Sequence, residues 1–412
     1  MVLQVKRLIA RVIRGVLLRI VRRPAREEGG DRRLIIVLWT AWNMGGTIRA
    51  AFNLAEYMQA RGWTVEIISG YRDRDEPFFG SFPAGVPVFD LDDRRRNEPL
   101  RRLLRKLPSV LMPSADRAAT SFSVWSDIQL VRHLRGRSGI LLGTRPGVNL
   151  LLARLRAPGL KTVGLEQMNL HKHNGGLRRK MRGLYPQLDA FVVLTERDRA
   201  HYLERGIVTE TAPPVHVIPN TVRPLPGAKA DLSAKTVYAA GRFRYQKGFE
   251  LLIPAWAETA KAHPDWTLRL RGRGHLESRY RGLIEEHGLD GTVRIEDPAE
   301  DIGSDMAEAA VFVLSSRFEG FPLILLEAMS KGMGVVSFDC PTGPADIVDD
   351  HRNGLLVAHE DVEGLSRAIR AIVEDEELRR RMAAEAVETA ERYTIEAIGP
   401  RWVELLEGLA RR

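Results

Sequence analysis

At 412 residues, with 44% apolar and 28% charged side chains, the chain is long enough for two ordinary domains and has a globular composition, which excludes disordered and multispanning proteins. Its single cysteine, Cys340, excludes an intramolecular disulfide. The net charge of +9 is uneven, because residues 1–23 hold seven basic side chains and no acidic one, which leaves only +2 for the rest of the chain.

The first predicted element is an amphipathic helix in a leader segment, residues 1–30. The basic side chains of the leader lie on one helix face, and its apolar residues recur on the other at the three- and four-residue spacing of a helix. These apolar residues are Val5, Leu8, Ile9, Val12, Ile13, Val16, Leu17, Ile20 and Val21. No apolar run approaches the length that crosses a bilayer. The pattern favours a helix on an anionic membrane surface; the alternative is a terminal helix that packs on the protein's own core.

Five short apolar runs follow the leader and predict the strands of a first domain. They lie at residues 34–39, 64–69, 139–144, 161–166 and 190–195. The runs are continuous rather than alternating, which is typical of parallel strands that helices cover on both faces. Residues 212–235 then contain five prolines and no periodic segment, which predicts a hinge between domains.

A second set of five runs predicts a second sheet, at residues 236–241, 267–272, 293–297, 311–316 and 334–339. Two doubly wound α/β domains facing across a cleft follow from this alternation, with ligands expected beyond the carboxyl ends of the strands. We place the two domains at residues 31–218 and 219–395. Residues 396–412 are predicted to form a helix that crosses back to the first domain.

The turn after the run 311–316 carries two carboxylates in an unusual setting. Pro322 suits the first turn of a helix and Gly332 its end, so the predicted helix covers about residues 322–331. Glu319 then lies in the entering loop, whereas Glu327 lies inside the helix among apolar residues. An unpaired carboxylate there would be costly, so Glu327 is expected to accept hydrogen bonds from a specific partner, such as a ribose diol.

At this point the sequence resembles a known family. The stretch RFEGFPLILLEAMSKGMGVVSFDCPTGPADIV, residues 317–348, looks like the donor-site signature of the retaining glycosyltransferases of family 4, which have the GT-B fold of two Rossmann-like domains. The resemblance implies that Glu327 binds the nucleotide ribose and that Glu319 lies close to the donor sugar. It also implies donor contacts from the residues that follow Glu319, namely Gly320, Phe321, Pro322 and Leu323.

Three further stretches resemble parts of the same family. GRFRYQKGFELLIPAW, residues 241–256, implies that Arg242 and Lys247 pair with the donor diphosphate. WNMGGTIRAAFNLAEYM, residues 42–58, places Gly45 and Gly46 opposite the donor. The loop at residues 293–302 implies a wall for the base that includes Pro298.

The acceptor domain departs from the family at one position. Many relatives place a histidine directly after the strand at 161–166, where this chain has Gln167. His171 and His173 follow slightly downstream, and His173 is favoured over His171 as the residue that approaches the sugar. Arg145, after the run 139–144, is a further candidate for contact with acceptor or phosphate.

The resemblance implies a retaining transfer of a hexose or N-acetylhexosamine from a nucleotide-diphosphate sugar, with UDP as the commonest carrier in the family. It implies no cofactor and no catalytic metal. The acceptor is expected to be a lipid-linked or polyanionic cell-surface polymer, met by an enzyme that is peripheral on the cytoplasmic face of the plasma membrane; no nucleic-acid partner is expected. Two alternatives remain, a catalytically idle sugar-nucleotide-binding or membrane scaffold protein and a GT-B-type sugar-nucleotide epimerase.

Overall fold

A computed structural model describes residues 2–23, 32–299 and 301–412, without the side chains of residues 2–7 and Arg117. Met1, Glu300 and residues 24–31, which contain the end of the predicted leader, lie outside the described residues. The chain divides into two compact units. Unit 1 comprises Met1–Ile218 and Gly399–Arg412, and unit 2 comprises Pro219–Ile398.

Unit 1 contains a seven-stranded parallel sheet in the order β3-β2-β1-β4-β5-β6-β7. The central strand β1 is buried from its second residue onward and pairs with β2 on one side and β4 on the other. The strands are β1 Arg33–Leu38, β2 Thr64–Ser69, β3 Val88–Asp90, β4 Gly139–Gly143, β5 Leu160–Leu165, β6 Ala190–Val193 and β7 Val215–Val217.

Helices connect the strands of unit 1, as parallel crossovers require. Several begin at a side chain that accepts a hydrogen bond from the first turn, such as Ser123 before α4 and Thr195 before α7. The helices are α1 Val2–Val21, α2 Gly46–Gln59, α3 Pro99–Arg105, α4 Val124–Leu134, α5 Pro146–Leu155, α6 Gly175–Leu184 and α7 Glu196–Glu204. The last helix of the chain, α15 Ile395–Ala410, contributes its residues from Gly399 onward to unit 1.

The leader helix α1 has two apolar faces with different surroundings. Leu17 and Val21 are buried in a hydrophobic cluster of unit 1, and the Arg22 side chain donates to the carbonyl oxygens of Arg154 and Leu155, both at 2.9 Å. Ile13, Leu18 and Ile20 are partly buried against the same cluster, whereas Leu8, Ile9, Val12 and Val16 are exposed. Packing on the protein's own core, the alternative interpretation of the leader, is therefore correct for one face of α1, and the second face is exposed among the described residues.

Unit 2 contains a six-stranded parallel sheet in the order β10-β9-β8-β11-β12-β13. Its strands are β8 Thr236–Ala240, β9 Thr267–Arg271, β10 Val293–Glu296, β11 Val311–Leu314, β12 Gly334–Asp339 and β13 Leu355–Ala358. Its helices are α8 Phe249–Ala262, α9 Glu277–Glu286, α10 Ile302–Ala307, α11 Leu323–Ser330, α12 Pro344–Ile347, α13 Val362–Glu374 and α14 Glu376–Glu391. Trp256 on α8 and Tyr280 on α9 are fully buried in its core.

The predicted α/β fold with two doubly wound parallel sheets is confirmed, and three edge strands were missed. β3 and β7 are three residues long, half-buried and without the continuous apolar run that marks an interior strand, whereas β13 is an apolar run of only four residues. β7 lies inside residues 212–235, the stretch predicted as a hinge. The unit boundary falls after Ile218, within the predicted hinge stretch, although the stretch also contains the short strand β7.

Candidate functional site

The candidate donor site lies in unit 2 at the carboxyl ends of β8 and β11. The strand order runs outward in opposite directions from this pair, through β9 and β10 on one side and β12 and β13 on the other. Open α/β sheets bind ligands where the order reverses, outside the carboxyl ends of the strands. The turn after β8 carries Arg242 and Lys247, and the turn after β11 carries Glu319, so both predicted motifs meet at this point.

Lys247 and Glu319 form an ion pair between the two turns. Lys247 Nζ lies 2.7 Å from Glu319 Oε1, and both side chains are largely buried. Gly241 leaves room for the Lys247 side chain, because a Cβ at position 241 would lie only 2.8 Å from Lys247 Cε. Ser315 Oγ donates to the Lys247 carbonyl oxygen at 2.9 Å and so holds the backbone of the β8 turn against the end of β11.

The Glu319 turn is held from several directions. Ser316 Oγ donates to Glu319 Oε1 at 2.7 Å, and Thr342 Oγ1 donates to the Glu319 carbonyl oxygen at 2.7 Å. Gly343, with φ of 97°, follows Thr342 and packs so closely that a Cβ would lie 2.8 Å from Pro322 Cδ. Residues 319–322 and residues 342–343 of the quoted signature therefore pack against each other, although more than twenty residues separate Glu319 from Thr342 in sequence.

Arg242 adds a second cation beside this pair. Desolvation of its guanidinium and repulsion from Arg244 lower the pKa of Arg242, and attraction to Glu319 opposes that shift. An arginine side chain nevertheless stays protonated at neutral pH. Arg242 and Arg244 are both exposed, so the turn after β8 presents two guanidinium groups to solvent next to the buried Lys247. Arg244 was not singled out from the sequence, although it lies in the quoted stretch.

The remaining predicted donor residues are placed as follows. Helix α11 begins directly after Pro322, and Glu327 is buried within it, on a different element from Glu319. Gly320, Phe321, Pro322 and Leu323 are buried, with the Phe321 ring 5.4 Å from that of Tyr393. Pro298 is exposed in the loop after β10, at the same edge of the sheet. Ribose, sugar and base contacts from these residues stay predictions.

The side chain of Arg317, which holds the turn after β8 in place, was not singled out from the sequence. Arg317 Nη1 donates to the Tyr245 carbonyl oxygen at 2.9 Å and forms an ion pair with Glu250 at 2.6 Å. Its Nε lies 2.7 Å from Glu360. Because Tyr245 precedes Lys247 by two residues, Arg317 fixes the turn that presents the lysine. The only available signal was its position at the start of the donor signature.

In unit 1, the two candidate histidines have different environments. His173 is buried, and its Nε2 lies 3.2 Å from Oε2 of the buried Glu166. Glu166 also accepts from Tyr185 and, at 2.9 Å, from Asn149 Nδ2. His171 is exposed, with its ring 4.7 Å from that of His201; desolvation and then His201 lower its pKa. A carboxylate thus holds His173, whereas no carboxylate pairs with His171 among the described residues; which of the two approaches the sugar stays a prediction.

Gly45 and Gly46 lie at the start of α2, after β1. The backbone at Gly45 has a φ of 172°, which any residue adopts, and a Cβ there would meet only Ile48 Cδ1, at 4.0 Å. The fold of unit 1 does not require a glycine at this position, in contrast to Gly241. A glycine that the fold does not need leaves space for close approach by another group.

A cluster of aromatic and arginine side chains lies at the same edge of unit 1, and only its Arg145 was singled out from the sequence. It lies at the carboxyl ends of β1, β2 and β4, and the strand order reverses between β1 and β4. Trp39 follows β1 and keeps 37% of its surface exposed. The Arg145 guanidinium lies 4.9 Å from the centre of the Trp39 ring, and its Nε is buried without a hydrogen-bond partner among the described residues.

Two more arginines belong to this cluster. Arg72 lies 3.7 Å from the centre of the Trp42 ring, and Arg94 lies 3.9 Å from that of Tyr71. Neither pattern is visible in sequence, because the residues follow different strands. Among the described residues no group of three or more histidine, cysteine or acidic side chains is arranged to hold a metal ion.

Residues 228–389 match the profile of the family described as "Glycosyl transferases group 1". This segment is therefore similar to the group 1 glycosyl transferases, a family of transferase enzymes. The matched segment contains every donor residue predicted in unit 2, from Arg242 to Glu327, whereas Gly45 and Gly46 lie outside it. Membership of family 4 and retention of configuration are finer statements that this match does not address.

Two relatives extend the likeness to most of the chain. An exopolysaccharide phosphotransferase of Streptomyces coelicolor is 33% identical over 382 residues, which cover 90% of this chain and 40% of that protein. The chain therefore spans well under half the length of this relative. The amylovoran biosynthesis glycosyltransferase AmsD of Erwinia amylovora is 24% identical over 384 residues, which cover 91% of this chain and 99% of AmsD.

Among solved structures, the fold is similar to that of a mutant of TarM from S. aureus in complex with fondaparinux, alpha-GlcNAc-glycerol and UDP. The TM-score is 0.73 at 15% sequence identity, with 91% of this chain and 99% of TarM covered. At this identity the likeness concerns the fold alone, and it confirms the GT-B class expected from the sequence.

Proposed function

We propose that the chain transfers a hexose or N-acetylhexosamine from a UDP-sugar to a hydroxyl group of a membrane-associated or cell-surface polymer, with retention of the anomeric configuration. The observation that carries the proposal is the meeting of Arg242, Lys247 and Glu319 at the carboxyl ends of β8 and β11, inside the segment that matches the family. UDP is bound in the similar TarM structure, and the names of both relatives refer to polysaccharides or their synthesis.

The chemistry of the transfer fits these side chains. Cleavage of the sugar–phosphate bond leaves negative charge on the diphosphate, and fixed cations next to the leaving oxygens stabilise that charge. Lys247 is such a cation, because Glu319 and the Ser315 contact hold it in place, and Arg242 and Arg244 are available from the same turn. The departing phosphate oxygen takes the proton of the acceptor hydroxyl on the same face of the sugar, which retains the configuration. No metal is required in this scheme.

A screen of nucleotide sugars tests the donor assignment. Purified protein is incubated with UDP-, GDP- and dTDP-sugars, with and without a membrane extract, and released nucleotide is measured. We expect release from a UDP-hexose or UDP-N-acetylhexosamine, stimulated by the extract. Release from none of these donors under any condition would contradict the proposed activity and favour the idle scaffold protein.

The acceptor is proposed to bind unit 1 at the edge that carries Trp39 and Arg145. An exposed aromatic face packs against the C–H face of a sugar ring, and a guanidinium donates to hydroxyl or phosphate oxygens. The site lies where the strand order of the sheet reverses, which is the expected position for a ligand.

Trp39→Ala is expected to raise the KM for the polymer acceptor about tenfold, because the variant loses the packing surface of the indole. The release of UDP without acceptor, and the KM for the donor, are expected to stay at the wild-type level. Initial rates at varied concentrations of each substrate give the three values. An unchanged acceptor KM would exclude Trp39 from the acceptor site.

The membrane is proposed to bind the exposed face of α1, which brings the enzyme to the inner surface of the plasma membrane. None of the described helices has the length and apolar character needed to cross a bilayer. The exposed Leu8, Ile9, Val12 and Val16 are interleaved with arginines and have no acidic neighbour in the helix. Such a surface suits shallow insertion among anionic headgroups.

The four-residue variant Leu8→Gln/Ile9→Gln/Val12→Gln/Val16→Gln tests this face without removing Leu17 and Val21, which the core of unit 1 needs. We expect the partition coefficient on phosphatidylglycerol vesicles to fall at least tenfold, because the variant lacks four apolar side chains that would be transferred from water into the membrane. Co-sedimentation measures the partition, and an unchanged circular dichroism spectrum shows that the variant is folded. Binding at the wild-type level would refute the role of α1.

A further inference from the structure

Exposed apolar side chains are concentrated in two segments of unit 1. Eleven large apolar side chains are exposed among the described residues, and four of them belong to α1. Three more, Leu100, Leu103 and Leu107, lie in residues 99–107, which we call the α3 segment. Four of the nine residues in the α3 segment, PLRRLLRKL, are basic and none is acidic.

Helix α3 turns two of its three arginines toward the protein and two of its three leucines toward solvent. The Arg101 side chain is only 11% exposed and lies over the Trp125 ring, 5.0 Å from its centre, while Arg105 donates to the buried Asp92 at 2.8 Å. Leu100 and Leu103 are 62% and 61% exposed. A helix in water buries its apolar stripe and exposes its charges. The opposite arrangement in α3 indicates that the leucines have a partner of their own.

Two cations border the exposed leucines. Arg101 and Arg105 are used inside unit 1, whereas Arg102 and Lys106 are exposed on the next face of the helix. The α3 segment therefore presents leucines beside a pair of positive charges. This is the same combination of side chains that α1 presents through its exposed apolar residues and through Arg11 and Arg19.

The two segments are neighbours in unit 1. Helices α1 and α3 both pack against α4. Leu111 and Met112, shortly after the α3 segment, are buried in the same hydrophobic cluster as Leu17 and Val21 of α1. Both apolar faces that are exposed among the described residues therefore belong to helices that pack on α4.

We propose that the α3 segment is a second membrane-inserting element, which binds anionic lipid together with α1. Its leucines enter the boundary between headgroups and acyl chains, and Arg102 and Lys106 pair with lipid phosphates. A bilayer fits these observations, because it offers an apolar layer beneath anionic groups and binds two separate helices without shape complementarity to either. The inference rests on the membrane-associated function proposed above. It adds a fixed orientation of unit 1 on the membrane, because contact through two helices restricts the rotation of the unit more than contact through one helix.

Vesicle binding of the full chain tests the proposal. On vesicles with 30% phosphatidylglycerol in phosphatidylcholine, Leu100→Gln/Leu103→Gln/Leu107→Gln is expected to lower the partition coefficient about tenfold. Arg102→Gln/Lys106→Gln is expected to lower it about 25-fold, because each basic residue near an anionic surface contributes about fivefold. The control Arg380→Gln/Arg381→Gln removes two exposed arginines from α14 of unit 2 and is expected to bind like the wild type.

A fluorescent label reports insertion directly. Cys340 is buried, and desolvation raises the pKa of its thiol to about 12, so it does not react with thiol labels at neutral pH. A nitrobenzoxadiazole label on Leu103→Cys is expected to shift its emission to the blue on anionic vesicles, whereas a label on Arg381→Cys is not.

Three outcomes would overturn the proposal. These are wild-type partition of the leucine variant, no emission shift at position 103, or a dimer of the wild type without vesicles that the leucine variant breaks. The last result would assign the face to a second copy of the chain. None of these results depends on activity, and release of UDP from the donor without acceptor is expected to be unchanged in all α3 variants, so failure of the proposed transferase function is detected separately.

Discussion

Lys247→Ala is expected to lower turnover about 100- to 1000-fold, which is the cost of removing one preorganised group that stabilises charge in a transition state. Lys247 is placed for this role by the ion pair with Glu319 and by the contact of its carbonyl oxygen with Ser315. The KM for the donor is expected to change much less than the turnover number, because the charge on the leaving diphosphate develops in the transition state. Initial rates of UDP release at varied donor concentrations measure both quantities.

The variant leaves Glu319 without its lysine, so folding must be measured alongside activity. Ser316 still donates to Glu319 Oε1, and we expect the circular dichroism spectrum to be unchanged and the midpoint of urea unfolding to fall only modestly. Lys261→Ala is the matched control, since it removes an exposed lysine near the end of α8 in the same unit. Wild-type turnover in a folded Lys247→Ala protein would remove the lysine from the proposed mechanism.

Gly248→Ala is expected to lower the free energy of unfolding by about 3 kcal/mol, through the combined cost of a left-handed backbone and a steric clash. Gly248 has a φ of 62°, and a Cβ there would lie 2.1 Å from the Ser315 carbonyl oxygen. The end of β11 and the start of α8 must then separate. Because Gly248 follows Lys247 directly, the same change displaces the lysine, and we expect turnover to fall as well. Urea unfolding followed by circular dichroism measures the stability.

A second glycine of unit 2 supplies the control for this experiment. Gly282 lies within α9 and is exposed, and a Cβ there would meet no atom within 4 Å. Gly282→Ala is expected to keep or raise stability, by up to about 1 kcal/mol, because alanine favours a helix. Equal urea midpoints for the two variants would contradict the inferred close approach of Gly248 to the end of β11.

The interior strands of both sheets were predictable, and three of the four edge strands were not. The ten predicted runs coincide with the interior strands and with the edge strand β10, and interior strands that helices cover on both faces need a continuous apolar run. The edge strands β3 and β7 lack such a run, and the apolar run of β13 is only four residues long. β7 lies in a proline-rich stretch, which predicted a hinge and not a strand.

The candidate site was predictable where its residues belong to one motif. Glu319 and the residues that follow it are contiguous, and their turn and helix have the predicted arrangement. The ion pair between Lys247 and Glu319 joins turns that are 72 residues apart. No spacing rule reports such a contact, and the same holds for Glu166 with His173 and Tyr185, and for Trp39 with Arg145.

By itself, the amino-acid sequence determined the two parallel sheets, the turns that hold the donor residues and the amphipathic character of the leader, because each depends on neighbours along the chain. The tertiary structure alone decided which face of α1 is buried, that α3 turns its leucines to solvent, and that Arg145 lies beside Trp39. These depend on which elements pack together, since a side chain is buried or exposed only with respect to residues that are distant in sequence.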